Sequence, residues 1–105
     1  MKQREFINRV VEKIKVDKNI IGLAVAGSFI TDEIDEFSDV DLILVTTERI
    51  SDDFAKMENY AQSFGDYLSG FTGEHVGERR VLICLYDNPL LHVDIKFLTL
   101  DEFQN

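Results

Sequence analysis

Apolar residues recur at helical spacing near the start of the chain. Phe6, Ile7, Val10, Val11 and Ile14 form one stripe, set among Arg4, Glu5, Glu12, Lys13 and Lys15. The spacing predicts an amphipathic helix over 3–17, closed by Asn19. Ile20 to Ala26 is a continuous apolar run, β-branched at its start, and predicts a strand buried on both faces. Gly27 and Ser28 end it, a polar and acidic stretch runs from Thr31 to Ser38, and Val40 to Val45 predicts a second buried strand. Ser51, followed by Asp52 and Asp53, offers a capping hydroxyl and acids for the positive end of a helix dipole. Phe54, Met57, Ala61, Phe64 and Leu68 then fall at helical spacing, with Gly70 as the expected stop. The stretch 69–78, with Gly70, Gly73 and Gly77, reads as a loop. Val81 to Tyr86 and Leu91 to Leu98 predict third and fourth strands around an Asp87-Asn88-Pro89 turn, and Thr99-Leu100-Asp101-Glu102-Phe103 begins another helix. Helix, strand, strand, helix, hairpin is the order of an α/β (α+β) layered domain with a mixed sheet.

Composition narrows the function. The 105 residues suit one domain, and 45% apolar with 30% charged residues excludes wholesale disorder. Twenty acids against 11 bases give a net charge of −9, which argues against bulk nucleic acid and against a polybasic membrane contact. The excess is local. Six of the acids fall between Asp32 and Asp41 with no base among them, and the rest of the chain is nearly balanced. Cys84 is the sole cysteine, so no internal disulfide exists. The charged start lacks the apolar core of a signal peptide, and the run Ile20–Ala26 is too short to span a bilayer. A cytoplasmic chain with no membrane partner is expected.

The candidate chemistry begins at Asp39 and Asp41. They flank Val40 at the entrance of the second strand, so both carboxylates leave the same face, with Cα atoms about 6.5 Å apart. Such a pair repels unless a cation lies between its members. Mg²⁺ prefers carboxylate oxygens together with substrate phosphate oxygens. Asp94 is a third acid, inside Leu-His-Val-Asp-Ile-Lys-Phe, sharing its face with His92 and Lys96. If its strand neighbours the second, three carboxylates converge on one metal site. Gly27-Ser28, at the exit of the first strand, can let a phosphate approach backbone amides and a hydroxyl. A phosphate-holding turn beside a carboxylate triad suits metal-assisted nucleotidyl transfer with a two-metal site.

Ala26-Gly27-Ser28, the eleven residues from Ser28 to Asp39, Ser38-Asp39-Val40-Asp41-Leu42 and the later strand acid Asp94 together resemble the signature of the DNA-polymerase-β-like nucleotidyltransferase superfamily. The resemblance covers essentially the whole chain and is closest to the aminoglycoside and lincosamide nucleotidyltransferase branch. It implies a nucleotidyltransferase fold, a mixed sheet with helices packed mainly on one face. It implies that Gly27 and Ser28 hold the triphosphate, that Asp39 and Asp41 bind both Mg²⁺ ions, and that Asp94 completes the catalytic metal site. The expected reaction moves AMP from ATP to a hydroxyl of a small-molecule acceptor and releases pyrophosphate. Many relatives carry Arg-Gly a few positions after Gly-Ser, where this chain reads Phe29, Ile30, Thr31, Asp32. The triphosphate grip is therefore weaker, or moves to Arg79, Arg80 or Lys96. Relatives with small acceptors continue into a C-terminal helical domain, so residues 1–105 read as a single nucleotidyltransferase domain, complete or the N-terminal part of a longer chain. Two other readings stay open: a minimal nucleotidyltransferase antitoxin acting on a partner toxin, and a non-catalytic nucleotide-binding domain.

Other residues carry plainer expectations. The 32–36 acids fail the EF-hand pattern, because position six counted from Asp35 is Val40. They read as a solvated loop. His75 reads as a surface histidine, and Arg79 and Arg80 as partners of nearby acids. His92 is either at the site edge or packed. Cys84 reads as a buried thiol, and the Phe54, Phe64, Leu68 stripe as core.

Overall fold

The computed structural model describes residues 2–26, 40–50, 53–73, 78–87 and 90–104. The elements run α1 (Lys2–Ile14), β1 (Ile20–Ala26), β2 (Val40–Thr46), α2 (Phe54–Ser63), β3 (Asp66–Gly73), β4 (Glu78–Asp87), β5 (Leu91–Thr99) and α3 (Leu100–Gln104). The strands form one mixed five-stranded sheet in the order β1-β2-β5-β4-β3. β2 and β5 are parallel at its centre, and the other pairings are antiparallel. The mixed α/β reading of the sequence therefore holds. None of the described helices is long and apolar enough to cross a membrane.

Alternation along the central strands decides which face is covered. Val40, Leu42 and Leu44 on β2, Val93, Ile95 and Phe97 on β5, and Leu82, Cys84 and Tyr86 on β4 are buried in one cluster. The same cluster takes Phe6, Ile7 and Val10 from α1 and Met57 and Ala61 from α2. Both helices thus lie on one side of the sheet. The ring of Phe6 meets that of Tyr86 at 4.8 Å between centroids. The intervening residues of these strands, Asp41 and Ile43 on β2 and His92, Asp94 and Lys96 on β5, face the other way.

The segment after Ala61 departs from expectation. The helix ends at Ser63, not beyond Leu68, and the stretch expected to be a loop is the edge strand β3. Phe64 caps α2 by donating its N–H to the Ala61 carbonyl, and Gly65 then packs closely on Tyr86 and Phe6. Gly70 is not a helix stop. A Cβ there would collide with the Tyr67 hydroxyl, which lies over it and donates to Glu58 Oε2 at 2.8 Å. Phe64 is core, but Phe54 and Leu68 are exposed, so the helical stripe was partly coincidental. Two further boundaries move: α1 stops at Ile14 rather than 17, and β4 starts at Glu78 rather than Val81. The N-cap of α2 is Asp53, whose Oδ1 accepts from the Lys56 N–H at 3.2 Å. Ser51 and Asp52 lie outside the described residues.

Candidate functional site

One row of residues crosses the whole sheet. Ala26 on β1 pairs with Asp41 on β2, Asp41 with Asp94 on β5, Asp94 with Ile83 on β4, and Ile83 with Phe71 on β3. Neighbouring strands stand about 4.8 Å apart, and register partners direct their side chains to the same face. Asp41 and Asp94 are therefore adjacent, on the sheet face opposite α1 and α2. The condition set by the sequence is met: the strand of Asp94 is the direct neighbour of the strand of Asp41. Ala26, the last residue of β1, leads directly into Gly27 and Ser28.

Gly27, Ser28 and Asp39 lie outside the described residues, as do the acids of 32–36 and His75. Among the described residues no group of three or more His, Cys, Asp or Glu side chains is placed to hold a metal ion. What the structure does bring together is the Asp41–Asp94 pair with its surroundings. His92 Nε2 stands 3.6 Å from Asp94 Oδ1, and both side chains are partly exposed, at 46% and 38%. That separation is too long for a hydrogen bond, and it is a charge contact only when the imidazole is protonated. It puts His92 at the edge of the carboxylate pair. Lys96 follows Asp94 on the same face, between Ile43 of β2 and Val81 of β4.

Other candidates fall elsewhere. Cys84 is buried on the helix-covered face. Burial, followed by the negative charge of Asp94, pushes its thiol up to about 12, so it is no nucleophile near neutral pH. Arg80 Nη1 lies 3.5 Å from Glu102 Oε2, as expected of a charge pair. The side chain of Arg79 lies outside the described part. A groove of about 500 Å³ opens on the helix side, lined by Ile14, Val16, Lys18, Tyr60 and Phe64. It contains none of the sequence-predicted site residues.

Ile83 and Phe71 extend the row on the far side of Asp94, and the sequence reading passed over both. Ile83 lies in the apolar run Val81 to Tyr86, which predicts a strand and marks no site. Phe71 was assigned to a loop, and its alternation with Ser69 across the glycines was the only hint that it belongs to this face. No family model matches the sequence, and no curated protein matches it either.

Proposed function

We propose that the chain is a divalent-cation-dependent nucleotidyltransferase with a nucleotidyltransferase fold. It moves a nucleoside monophosphate, AMP from ATP, to a hydroxyl of a small-molecule acceptor and releases pyrophosphate. One observation carries this reading: Asp41 and Asp94 are register partners on parallel neighbouring strands, beside the strand end that leads into Gly27-Ser28. A five-stranded mixed sheet with α1 and α2 on the opposite face is compatible with that fold.

The donor set fits a hard cation, because the adjacent side chains offer carboxylate oxygens. Asp41 and Asp94 would hold Mg²⁺, with Asp39 joining them by the resemblance. When bound, the cation supplies charge neutralisation for the triphosphate and acidifies the acceptor hydroxyl. Gly27 amides and the Ser28 hydroxyl hold the triphosphate. Asp94 takes the proton of the acceptor hydroxyl. The acceptor oxygen forms the new bond to the α-phosphorus, and the bridging oxygen to the β-phosphorus leaves with its electron pair on pyrophosphate. The Asp94 side chain is 38% exposed although its Oδ1 is buried, so an acceptor would approach the rest of the carboxyl group.

The test is transfer of labelled ATP to a panel of hydroxyl acceptors, aminoglycosides included, with Mg²⁺ or Mn²⁺. Wild type is expected to transfer label, and Asp41→Asn and Asp94→Asn to lose about 100-fold or more. Failure to label any acceptor, together with no cation-dependent ATP binding by calorimetry, overturns the reading. Cation-dependent ATP binding without transfer would identify a non-catalytic nucleotide-binding domain.

A further inference from the structure

β1 and β3 are the two edges of the sheet formed by the described residues, and they are protected unequally. An edge strand presents a row of N–H and C=O groups that can pair with another chain, and charges, prolines and bulges blunt it. β3 has such devices. It begins with Asp66, its register is irregular after Tyr67 and again after Thr72, and the Tyr67 hydroxyl lies over Gly70. β1 has one irregularity, between Ile20 and Gly22, and from Gly22 to Ala26 its pairing with β2 is regular. Ile20–Ala26 contains no charged residue and no proline.

The regular stretch is also matched to its own copy. Leu23 and Val25 are half-buried and pack against the core from its margin. Ala24, between them, pairs with Ile43 and faces the other side of the sheet. In an antiparallel pairing of two copies centred on Ala24, Leu23 of each lies opposite Val25 of the other, and both cores gain cover at that margin. A slip by one residue would set these side chains against the wrong face, so the apolar pattern specifies the register. Charge favours the same arrangement. The chain carries −9 in total, but residues 13–31 hold Lys13, Lys15, Lys18 and Asp17 as their only charges, a net of +2. Antiparallel pairing turns the basic approach to one strand towards the end of the other, where Ala26 pairs with Asp41. A copy of this chain therefore meets opposite charge at both ends of the joint.

We propose that β1 is a self-association edge: two copies join Gly22–Ala26 antiparallel about a two-fold axis and form one ten-stranded sheet. The contact is isologous and closes at two copies. Helices α1 and α2 of both copies lie on one side of that sheet, and both Asp41–Asp94 pairs on the other. The inference does not depend on the nucleotidyl-transfer reading. One short strand pairing is smaller than the roughly 800 Å² per partner of a standard interface, so the dimer is concentration-dependent.

Sedimentation velocity on the full chain, from about 10 µM to about 1 mM, gives the first readout. Wild type is expected to pass from monomer to dimer over that range. Ala24→Lys and Ala24→Glu each set like charges opposite each other in the pairing, and each is expected to weaken the dimer about fivefold or more. Mixed in equal amounts they are expected to restore it, which variants that merely misfold would not do. Ala24→Cys is expected to give a disulfide-linked dimer under mild oxidation and Leu68→Cys, on β3, to give none, since the native Cys84 is buried. Wild type that stays monomeric up to about 1 mM overturns the proposal. If its β1 amides are then protected from hydrogen exchange on the outer edge, another segment of this chain covers them. A dimer that tolerates both single charges, or that crosslinks through Leu68→Cys instead, overturns it as well.

Discussion

Tyr86 donates its hydroxyl hydrogen to the carbonyl oxygen of Ala61 across 2.6 Å, inside the core. The bond ties α2 to β4, the strand beside the one that carries Asp94. Burial pushes the phenol above its ordinary range, so it stays a neutral donor. Tyr86→Phe keeps the ring stacked against Phe6 and removes only this donor. The Ala61 carbonyl keeps its contact with the Phe64 N–H. The expected cost is therefore about 1 kcal/mol in urea denaturation. Tyr86→Ala also opens a cavity, at about 3–5 kcal/mol. A cost of 3 kcal/mol or more for the phenylalanine variant would show that the hydroxyl holds more than α2.

The buried thiol reports on the same layer. Cys84 packs among Leu82, Tyr86 and Val93, and burial with the nearby Asp94 charge raises its pKa to about 12. Near pH 8 the thiolate is therefore a trace species, and reagents also lack access. Native protein is expected to react with a thiol-specific dye at least about 100-fold more slowly than protein in denaturant. Equal rates would mean that β4 does not lie under the helices as described.

How much of this was legible in the sequence depends on the range of the interaction. β1, β2 and β5 were readable because their apolar runs are short, dense and bounded by turn residues. The shared face of His92, Asp94 and Lys96 followed from the period of two. β3 was not readable: Phe64 and Leu68 continue the helical spacing of α2, and two glycines in Tyr67–Gly73 mimic a loop. Its pairing is decided at long range, by Tyr67 crossing Gly70 to reach Glu58 and by the register of Phe71 with Ile83. The site divides in the same way. That Asp41 and Asp94 point to one face each was local information. That they are neighbours depends on β5 inserting beside β2 in parallel, a contact between segments far apart in the chain that no local pattern encodes.

That neighbouring relation has a cost that can be measured. On the proposed reading, Asp41 and Asp94 would repel across the β2–β5 ladder when no cation lies between them. Asp41→Asn is expected to be as stable as wild type in EDTA, or more stable by up to about 1 kcal/mol. Saturating Mn²⁺ is expected to raise the melting temperature of wild type and to leave that of Asp41→Asn in place, because ligand binding stabilises only a state that holds it. Scanning calorimetry with and without Mn²⁺ checks both. A variant several kcal/mol less stable in EDTA would instead make Asp41 a structural residue.

Acid stability should carry the signature of Glu102. The Thr99 N–H donates to Glu102 Oε1 at 3.0 Å, and the Glu102 N–H donates back to Thr99 Oγ1 at 3.3 Å. This reciprocal cap starts α3. The backbone donor of Thr99 first, and then its hydroxyl, the charge of Arg49 and the hydrogen bond from Arg80, outweigh the opposing effect of burial and hold the Glu102 carboxyl below the ordinary glutamate value. A folded-state pKa lower than the unfolded one means the unfolded chain takes up the proton first as pH falls. The contribution is therefore whole at neutral pH and is lost through the acid range as pH drops past the folded-state pKa. At pH 7, Glu102→Gln is expected to cost under about 1 kcal/mol, since the group is partly exposed and screened. The gap between the two proteins is expected to close as the pH falls through the acid range, where the wild-type carboxyl also becomes neutral. Urea denaturation across that range checks it. A gap that stays constant with pH would place the effect in the shape of the cap and not in its charge.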